Sequence, residues 1–343
     1  NYLTALGYKT DEDANYQKYW VDGDEVVHVV GKDILRFHAI YWPIMLMALN
    51  VPIKFKLYAH GWWLMKDGKM TKSKGDVVYP QELVDRYGLD AMRLFLVKEM
   101  PLGNDSVFTY ERFIEKFNVD LANDLGNLVS RTVSMVSKYV DQNLTKPNKL
   151  FFHEGEQLEN LAAEVIQTYQ DSFDTFRFQN GLYAVWDLIS RANKYIDETM
   201  PWSVAKDISR KEEIQDILYH LVETLRLVAI MLSPVIPDTA KKMFEELGIT
   251  SDLQSLDSLR FGKLLETKTA IKSAVLFKRL DMEEEIAFHN AKNQGIEKVQ
   301  EEKITIDDFR KVKLRVGKIV SAKKDEKSDK LLLLEVEINN EVR

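Results

Sequence analysis

The chain has 343 residues, enough for two or three domains that each bury a core. Hydrophobic residues at 45% against 29% charged exclude a disordered chain, and 47 Lys plus Arg against 54 Asp plus Glu (net −7) exclude a uniformly basic nucleic-acid coat, though not local basic patches. With no cysteine there is no disulfide framework, no Cys-ligated zinc within this stretch and no thiol nucleophile, which is compatible with a reducing cytoplasm. No apolar run reaches the ~18 residues of a membrane span, so no membrane association is expected. The start, Asn1-Tyr2-Leu3-Thr4, carries neither an initiator Met nor a signal-peptide pattern and reads as a chain entered in mid-domain.

Taken in chain order, the β-branched run Val26-Val27-His28-Val29-Val30 ending at Gly31 predicts a strand, followed by a helix over 33–49. Residues 54–66 turn strand-like again and lead through Lys66-Asp67-Gly68-Lys69 into a hairpin or loop. Pro80 opens a helix expected to run to about Met100. Beyond Phe108 the pattern is of long helices, with apolar stripes at Ile114, Phe117, Leu121 and Leu125, at Leu182, Val185, Ile189 and Ile196, and at Ile214, Leu218, Leu221 and Leu225. With a helix around 156–176, these predict an antiparallel bundle, closed after Pro234 and Pro237 by a short helix to about Leu247. Residues 281–303 are rich in glutamate and read as a solvated linker. Two strands of a small β domain are expected after it. There the segment from Arg310 to Lys330 holds nine Lys or Arg against three Asp or Glu, a local excess of +6.

Residues 67–75 (Asp-Gly-Lys-Met-Thr-Lys-Ser-Lys-Gly) form a glycine-bounded loop with lysines at 69, 72 and 74. Cations beside hydroxyls in such a loop can converge on a polyphosphate whose charge grows during transfer; the plain alternative is a solvated basic turn. The segment resembles the Lys-Met-Ser-Lys-Ser loop of class I aminoacyl-tRNA synthetases, with Thr71 at the first serine. Gly31-Lys32-Asp33-Ile34-Leu35-Arg36-Phe37-His38, then Tyr41-Trp42-Pro43 and His60-Gly61-Trp62, resemble the methionyl-tRNA synthetase family in particular.

That resemblance implies Lys69 and Lys72 as the catalytic cations at the pyrophosphate leaving group. ATP would be held by Gly31, Asp33, His60, Trp63 and Lys72, with Asp33 accepting the ribose hydroxyls, and the methionine side chain by Tyr2 and His38. Without it, His38 reads as a satisfied histidine on a half-buried helix and Trp42 as packing. ATP with Mg2+ is the implied co-substrate. Zinc, if any, would be bound upstream, with no metal site within this chain.

Asn127 and Arg131 lie four apart on one helix face, extended by Ser134 and Lys138. Such a stripe is usually just the wet side of a helix, but an amide and a guanidinium can also read unpaired RNA bases. Pro201-Trp202 sets an aromatic directly after a helix stop, as a stacking platform or as an anchor for the connection. Asp124 to Arg131 and Glu198 to Trp202 resemble, in order, the family's anticodon-binding bundle. This implies Asn127, Arg131, Pro201 and Trp202 at the CAU anticodon of tRNA(Met). Residues 304–343 resemble the start of an appended OB-fold tRNA-binding domain, with Lys313, Arg315, Lys318 and Lys330 facing the RNA backbone; the complete domain could form a homodimer.

The expected organisation is thus α/β plus all-α. It comprises the C-terminal part of a Rossmann-type catalytic domain (1–107), an antiparallel helical anticodon-binding bundle (108–280), a charged linker (281–303) and a truncated OB-fold domain (304–343). The expected function is methionine–tRNA ligase in the cytoplasm, making methionyl-adenylate and charging tRNA(Met). The class I His-Ile-Gly-His element is expected upstream, so the chain alone is expected to be inactive. Two alternatives stand beside this: a class I synthetase for another amino acid, and a noncatalytic tRNA-binding module.

Overall fold

The computed structural model describes residues 2–65, 68–69, 78–295, 306, 310–312, 316–324, 332–338 and 341–342. They fall into two units, 1–293 and 294–343, taken here one at a time. The architecture is mixed α/β with mostly helices.

The first unit opens with two short helices, α1 (Tyr2–Ala5) and α2 (Ala14–Tyr16), and then strand β1 (Val26–Gly31). β1 runs parallel to β2 (Phe55–His60), in register from Val26↔Phe55 to Gly31↔His60. The crossover a parallel pair requires is a helical run in three windings: a 3-10 turn at Lys32–Ile34, a π turn at Phe37–Tyr41, and α3 (Trp42–Ala48) with Pro43 in its first turn. Leu3, Tyr16, Trp20, Val26, Leu46 and Val51 form the core beneath it.

The strand-like stretch 54–66 proves to be two strands, because the chain turns a corner at Gly61. A Cβ there would stand 1.8 Å from the Asn104 carbonyl oxygen, so only glycine lets the 104–106 segment lie against it. β3 (Trp63–Met65) pairs antiparallel with β4 (Gly68–Lys69) and parallel with β5 (Ser106–Val107). The helix expected from Pro80 to Met100 is likewise two, α4 (Pro80–Tyr87) and α5 (Leu89–Lys98). Gly88, at φ 90°, ends the first.

From Thr109, whose hydroxyl caps the Arg112 amide at 3.1 Å, one helical run continues to residue 140: α6 (Tyr110–Lys116), a π-wound stretch Phe117–Gly126 and α7 (Asn127–Val140). β6 (Asn143–Thr145) follows, then α8 (His153–Asp174), α9 (Phe178–Thr199), α10 (Pro201–Val204), α11 (Lys211–Leu232) and α12 (Pro237–Leu247). α11 is buried almost all round from Ile214 to Leu232 and packs against α7, α8, α9 and α12. β7 (Glu266–Lys268) returns to pair with β6.

The glutamate-rich segment is not a solvated linker over its first half. α13 (Met282–Gly295) buries Glu285 and His289 against α4 and α6: Arg86 pairs with Glu285, and the Tyr87 hydroxyl donates to Glu285 at 2.6 Å and accepts from His289 at 2.8 Å. The Tyr110 ring stacks on His289 at 3.8 Å.

In the second unit β8 (Lys318–Lys324), β9 (Leu332–Ile338) and β10 (Glu341–Val342) form an antiparallel meander in the order β10-β9-β8, one short strand more than expected.

Candidate functional site

The C-terminal ends of β1 and β2 carry the first constellation. Register places Gly31 directly beside His60, and Asp33 follows in the 3-10 turn. A Cβ on Gly31 would lie 2.4 Å from Asp33 Oδ1 and 3.6 Å from His60 Cε1, so the missing side chain leaves room for a carboxylate and an imidazole to approach one point. His60 Nδ1 donates to the Gly61 carbonyl at 2.9 Å, which leaves Nε2 as the acceptor of the neutral ring. The crevice at the carboxyl ends of parallel strands is where open α/β sheets bind ligands.

The β3–β4 hairpin continues from this corner and sets Lys69 opposite Leu64. Met70 to Val77, and with them Thr71 and Lys72, lie outside the described residues. Trp63, half-buried, stacks on Phe95 at 5.3 Å and meets Phe108 edge-on at 6.5 Å, so packing holds one face of its ring.

A cleft of about 330 Å³ beside β1 is lined by Tyr2, His28, Phe37, His38, Tyr41, Trp42 and Met45. The sequence reading named Tyr2 and His38; what joins them is His28. Its ring lies 5.1 Å from Tyr2 and 6.4 Å from His38 and stacks on Phe55 at 4.6 Å. Burial first, then the neighbouring His38, lowers the His28 pKa and favours the neutral imidazole. His28 Nε2 is buried with no hydrogen-bond partner. His38 is fixed from within its own helix, Nδ1 lying 3.0 Å from the Ile34 carbonyl. Trp42 lines the cleft while packing edge-on against Trp20, so lining and packing coincide. Aromatic faces with few polar tips suit a flexible, polarizable side chain.

A second constellation lies on the helices. Asn127 is exposed on α7, and Arg131 donates to Asp197 on α9 at 3.0 Å. Asn193 of α9 donates to the Asp124 carbonyl at 3.2 Å, so the two segments singled out by sequence run side by side. α9 ends at Met200 in the left-handed region (φ 45°), and Pro201 is buried as the first residue of α10. Pro201 therefore sets direction, whereas Trp202, 41% exposed, is the ring available for stacking. Of the basic positions proposed for the second unit, Lys318 opens β8 and is exposed; Lys313, Arg315 and Lys330 lie outside the described residues.

Residues 1–133 match the model of the tRNA synthetases class I (M) family, and residues 150–298 that of the anticodon binding domain of methionyl tRNA ligase. The chain is 50% identical over 347 residues to methionine–tRNA ligase of Caldanaerobacter subterraneus, covering 100% of this chain and 54% of that protein. It is 48% identical over 358 residues to the Bacillus subtilis enzyme, covering 100% and 53%. Over its whole length the chain is similar to the methionyl-tRNA synthetase family. It spans about half the length of the curated relatives it matches.

Solved methionyl-tRNA synthetases share the fold. The Mycobacterium tuberculosis enzyme bound by methionyl-adenylate superposes with a TM-score of 0.74 at 32% identity, covering 81% of this chain and 54% of that one. Its free form gives 0.72 at 30% identity, covering 82% and 54%. The feature missed by sequence reading is His28. A histidine interrupting four valines in a strand was its available signal. Among the described residues no three His, Cys, Asp or Glu side chains gather to hold a metal ion, and no helix is long and apolar enough to cross a membrane.

Proposed function

We propose that this chain supplies the adenylate-forming corner and the tRNA-reading bundle of a methionine–tRNA ligase. The observation that carries it is the placement of Asp33 and His60 at the ends of β1 and β2, with the Tyr2–His28–His38 cleft on the same strand. Asp33 accepts the ribose hydroxyls of ATP where Gly31 leaves it space, and His60 lies toward the nucleotide. The aromatic cleft takes the thioether of methionine. The methionine carboxylate attacks the α-phosphate, the bond to the β-phosphate oxygen breaks, and pyrophosphate leaves as its charge is met by Lys69 and Lys72. The acyl carbon of the bound anhydride is then attacked by a ribose hydroxyl at the tRNA terminus, which forms the ester as the acyl–phosphate bond breaks and AMP leaves. Mg2+ bound to the nucleotide phosphates would supply further charge neutralisation at the leaving group.

In this reading Asn127, Arg131 and Trp202, aimed by Pro201, meet the anticodon of tRNA(Met). The parallel β1–β2 unit is part of a Rossmann-type catalytic domain. The meander of the second unit is part of an OB fold whose Lys313, Arg315, Lys318 and Lys330 contact the RNA backbone and whose complete form is a dimer interface. The setting is the cytoplasm. The relatives named above support the choice of amino acid.

The test is ATP–pyrophosphate exchange by the full-length protein with methionine, leucine, isoleucine and valine in parallel. Exchange with methionine alone is expected; exchange with another of the four instead would transfer the chain to a different specificity, and none at all would leave a tRNA-binding module.

A further inference from the structure

The loop between α5 and α6 approaches the nucleotide corner without contributing any of the ATP-site residues proposed above. Its Asp105 carboxylate is divided between two chain segments far away in sequence. Oδ1 accepts from the backbone N–H of Trp62 at 2.8 Å, 43 residues away, and Oδ2 accepts from Lys32 Nζ at 2.6 Å, 73 residues away. Trp62 lies two residues past His60, and Lys32 stands between Gly31 and Asp33. One carboxylate therefore ties the ends of β1 and β2 together just beyond the point where their parallel ladder stops at Gly31↔His60. The neighbouring residues hold the loop in place: the Asn104 carbonyl lies against Gly61, and the Ser106 amide donates to the Trp62 carbonyl at 2.9 Å. Lys32 itself is held over the Trp62 ring at 4.3 Å.

We propose that Asp105 is a positioning residue for ATP, holding the Lys32 turn and the Trp62 corner so that Asp33 and His60 keep the spacing the nucleotide requires. The pair with Lys32 is partly solvated, with side chains 34% and 27% exposed, so it adds little to global stability. Its effect is geometric. The 3-10 turn is three residues long and carries Asp33 at its centre, so a released Lys32 lets that carboxylate shift relative to His60. The methionine cleft lies along α3 and the middle of β1 and does not include this joint.

This inference rests on the ligase reading and deepens it. In the full-length protein, Asp105→Asn keeps an acceptor for the Trp62 amide and removes the charge facing Lys32, while Asp105→Ala removes both. In pyrophosphate exchange, kcat/KM for ATP should fall on the order of tenfold for the first and up to a hundredfold for the second. KM for methionine should stay within about twofold and the thermal midpoint should not move materially. Combining Asp105→Asn with Lys32→Met should cost no more than the worse single change, since both cut one tether. Unchanged ATP kinetics, a parallel rise of both KM values, or additive losses would overturn the role of Asp105 while wild-type exchange still upholds the ligase. Absence of exchange in the wild type would overturn the ligase reading and this inference with it.

Discussion

Arg131 on α7 donates to Asp197 on α9 at 3.0 Å, and this ion pair joins the helix bearing Asn127 to the helix that delivers Trp202. Base stacking on an exposed indole is worth ~1–3 kcal/mol. Trp202→Ala should accordingly weaken tRNA(Met) binding by roughly ten- to a hundredfold and leave pyrophosphate exchange unchanged. Lys72→Ala should do the opposite, slowing adenylate formation by about two to three orders of magnitude with tRNA affinity preserved. Asp197→Ala releases the guanidinium without deleting it and should cost less affinity than Arg131→Ala. Filter binding and exchange, run on the same preparations, check all four; equal losses in both assays for Trp202→Ala would remove it from the RNA face.

His220 lies 2% exposed in the bundle, its Nε2 2.9 Å from Glu159 Oε1 and its Nδ1 2.8 Å from the Asp216 carbonyl and 3.3 Å from that residue's carboxylate. Burial by itself would lower its pKa, but the hydrogen bonds with Asp216 and Glu159 more than offset this and raise it from 6.5 to about 9. A pKa raised on folding stabilises fully below the unfolded value and is lost as pH rises through the folded one. Bundle stability should therefore decline between about pH 6.5 and 9, by an amount on the order of a few kcal/mol. His220→Gln should be less stable at pH 6 and should lack that decline. Urea midpoints across the range decide it, and a parallel slope in the variant would remove His220 as the source.

Much of the first unit was legible because its signals are local. The β-branched run Val26 to Val30 is β1, and the stripes at Leu182 and Ile214 lie on α9 and α11. What escaped notice depends on partners distant in the chain. Glu285 and His289 read as solvated until Arg86, Tyr87 and Tyr110 are placed beside them. Gly88 and Gly61 break helix and strand for reasons set by backbone angle and by Asn104, neither visible in periodicity. At the site, Gly31, Asp33 and His38 stand in one motif and were found together. His28 reads in the sequence as a strand residue, and the packing of Trp63 on Phe95 and Phe108 depends on partners distant in the chain.

Residues 248–280, the least patterned stretch, are held by a fully buried pair. Arg226 makes a bidentate contact with Glu223 at 2.7 and 2.8 Å, both side chains 0% exposed. It also donates to the carbonyls of Leu253, Ser258 and Arg260, while Glu223 accepts from the Lys263 amide at 3.0 Å. Removing one member strands the other charge, so Arg226→Met or Glu223→Gln should each destabilise the bundle by about 3–5 kcal/mol. The double change to Met and Gln should cost clearly less than the sum. Urea unfolding of the three variants measures it, and strict additivity would show that the two side chains act separately.

The docking of α13 rests on few groups. Burial works against the Glu285 carboxylate, but hydrogen bonds from Arg86 and Tyr87 outweigh it and hold its pKa below the usual carboxylate range. A depressed pKa stabilises above the unfolded value and loses that contribution as pH falls through the folded one. Hydrogen-exchange protection over residues 282–291 should thus be full near neutrality and decline as the medium is acidified below about pH 4.5. Glu285→Ala should remove the acid dependence and lower protection at neutral pH, because Arg86 and the Tyr87 hydroxyl are left without their carboxylate. Tyr87→Phe takes away one hydrogen bond and keeps the ring in place against Phe113 and Phe117, so its effect should be smaller. Protection in α8 and α9, which lie elsewhere in the bundle, should be the same in all three proteins; a loss spread across them would mean that Glu285 supports the whole unit and not the seating of this helix.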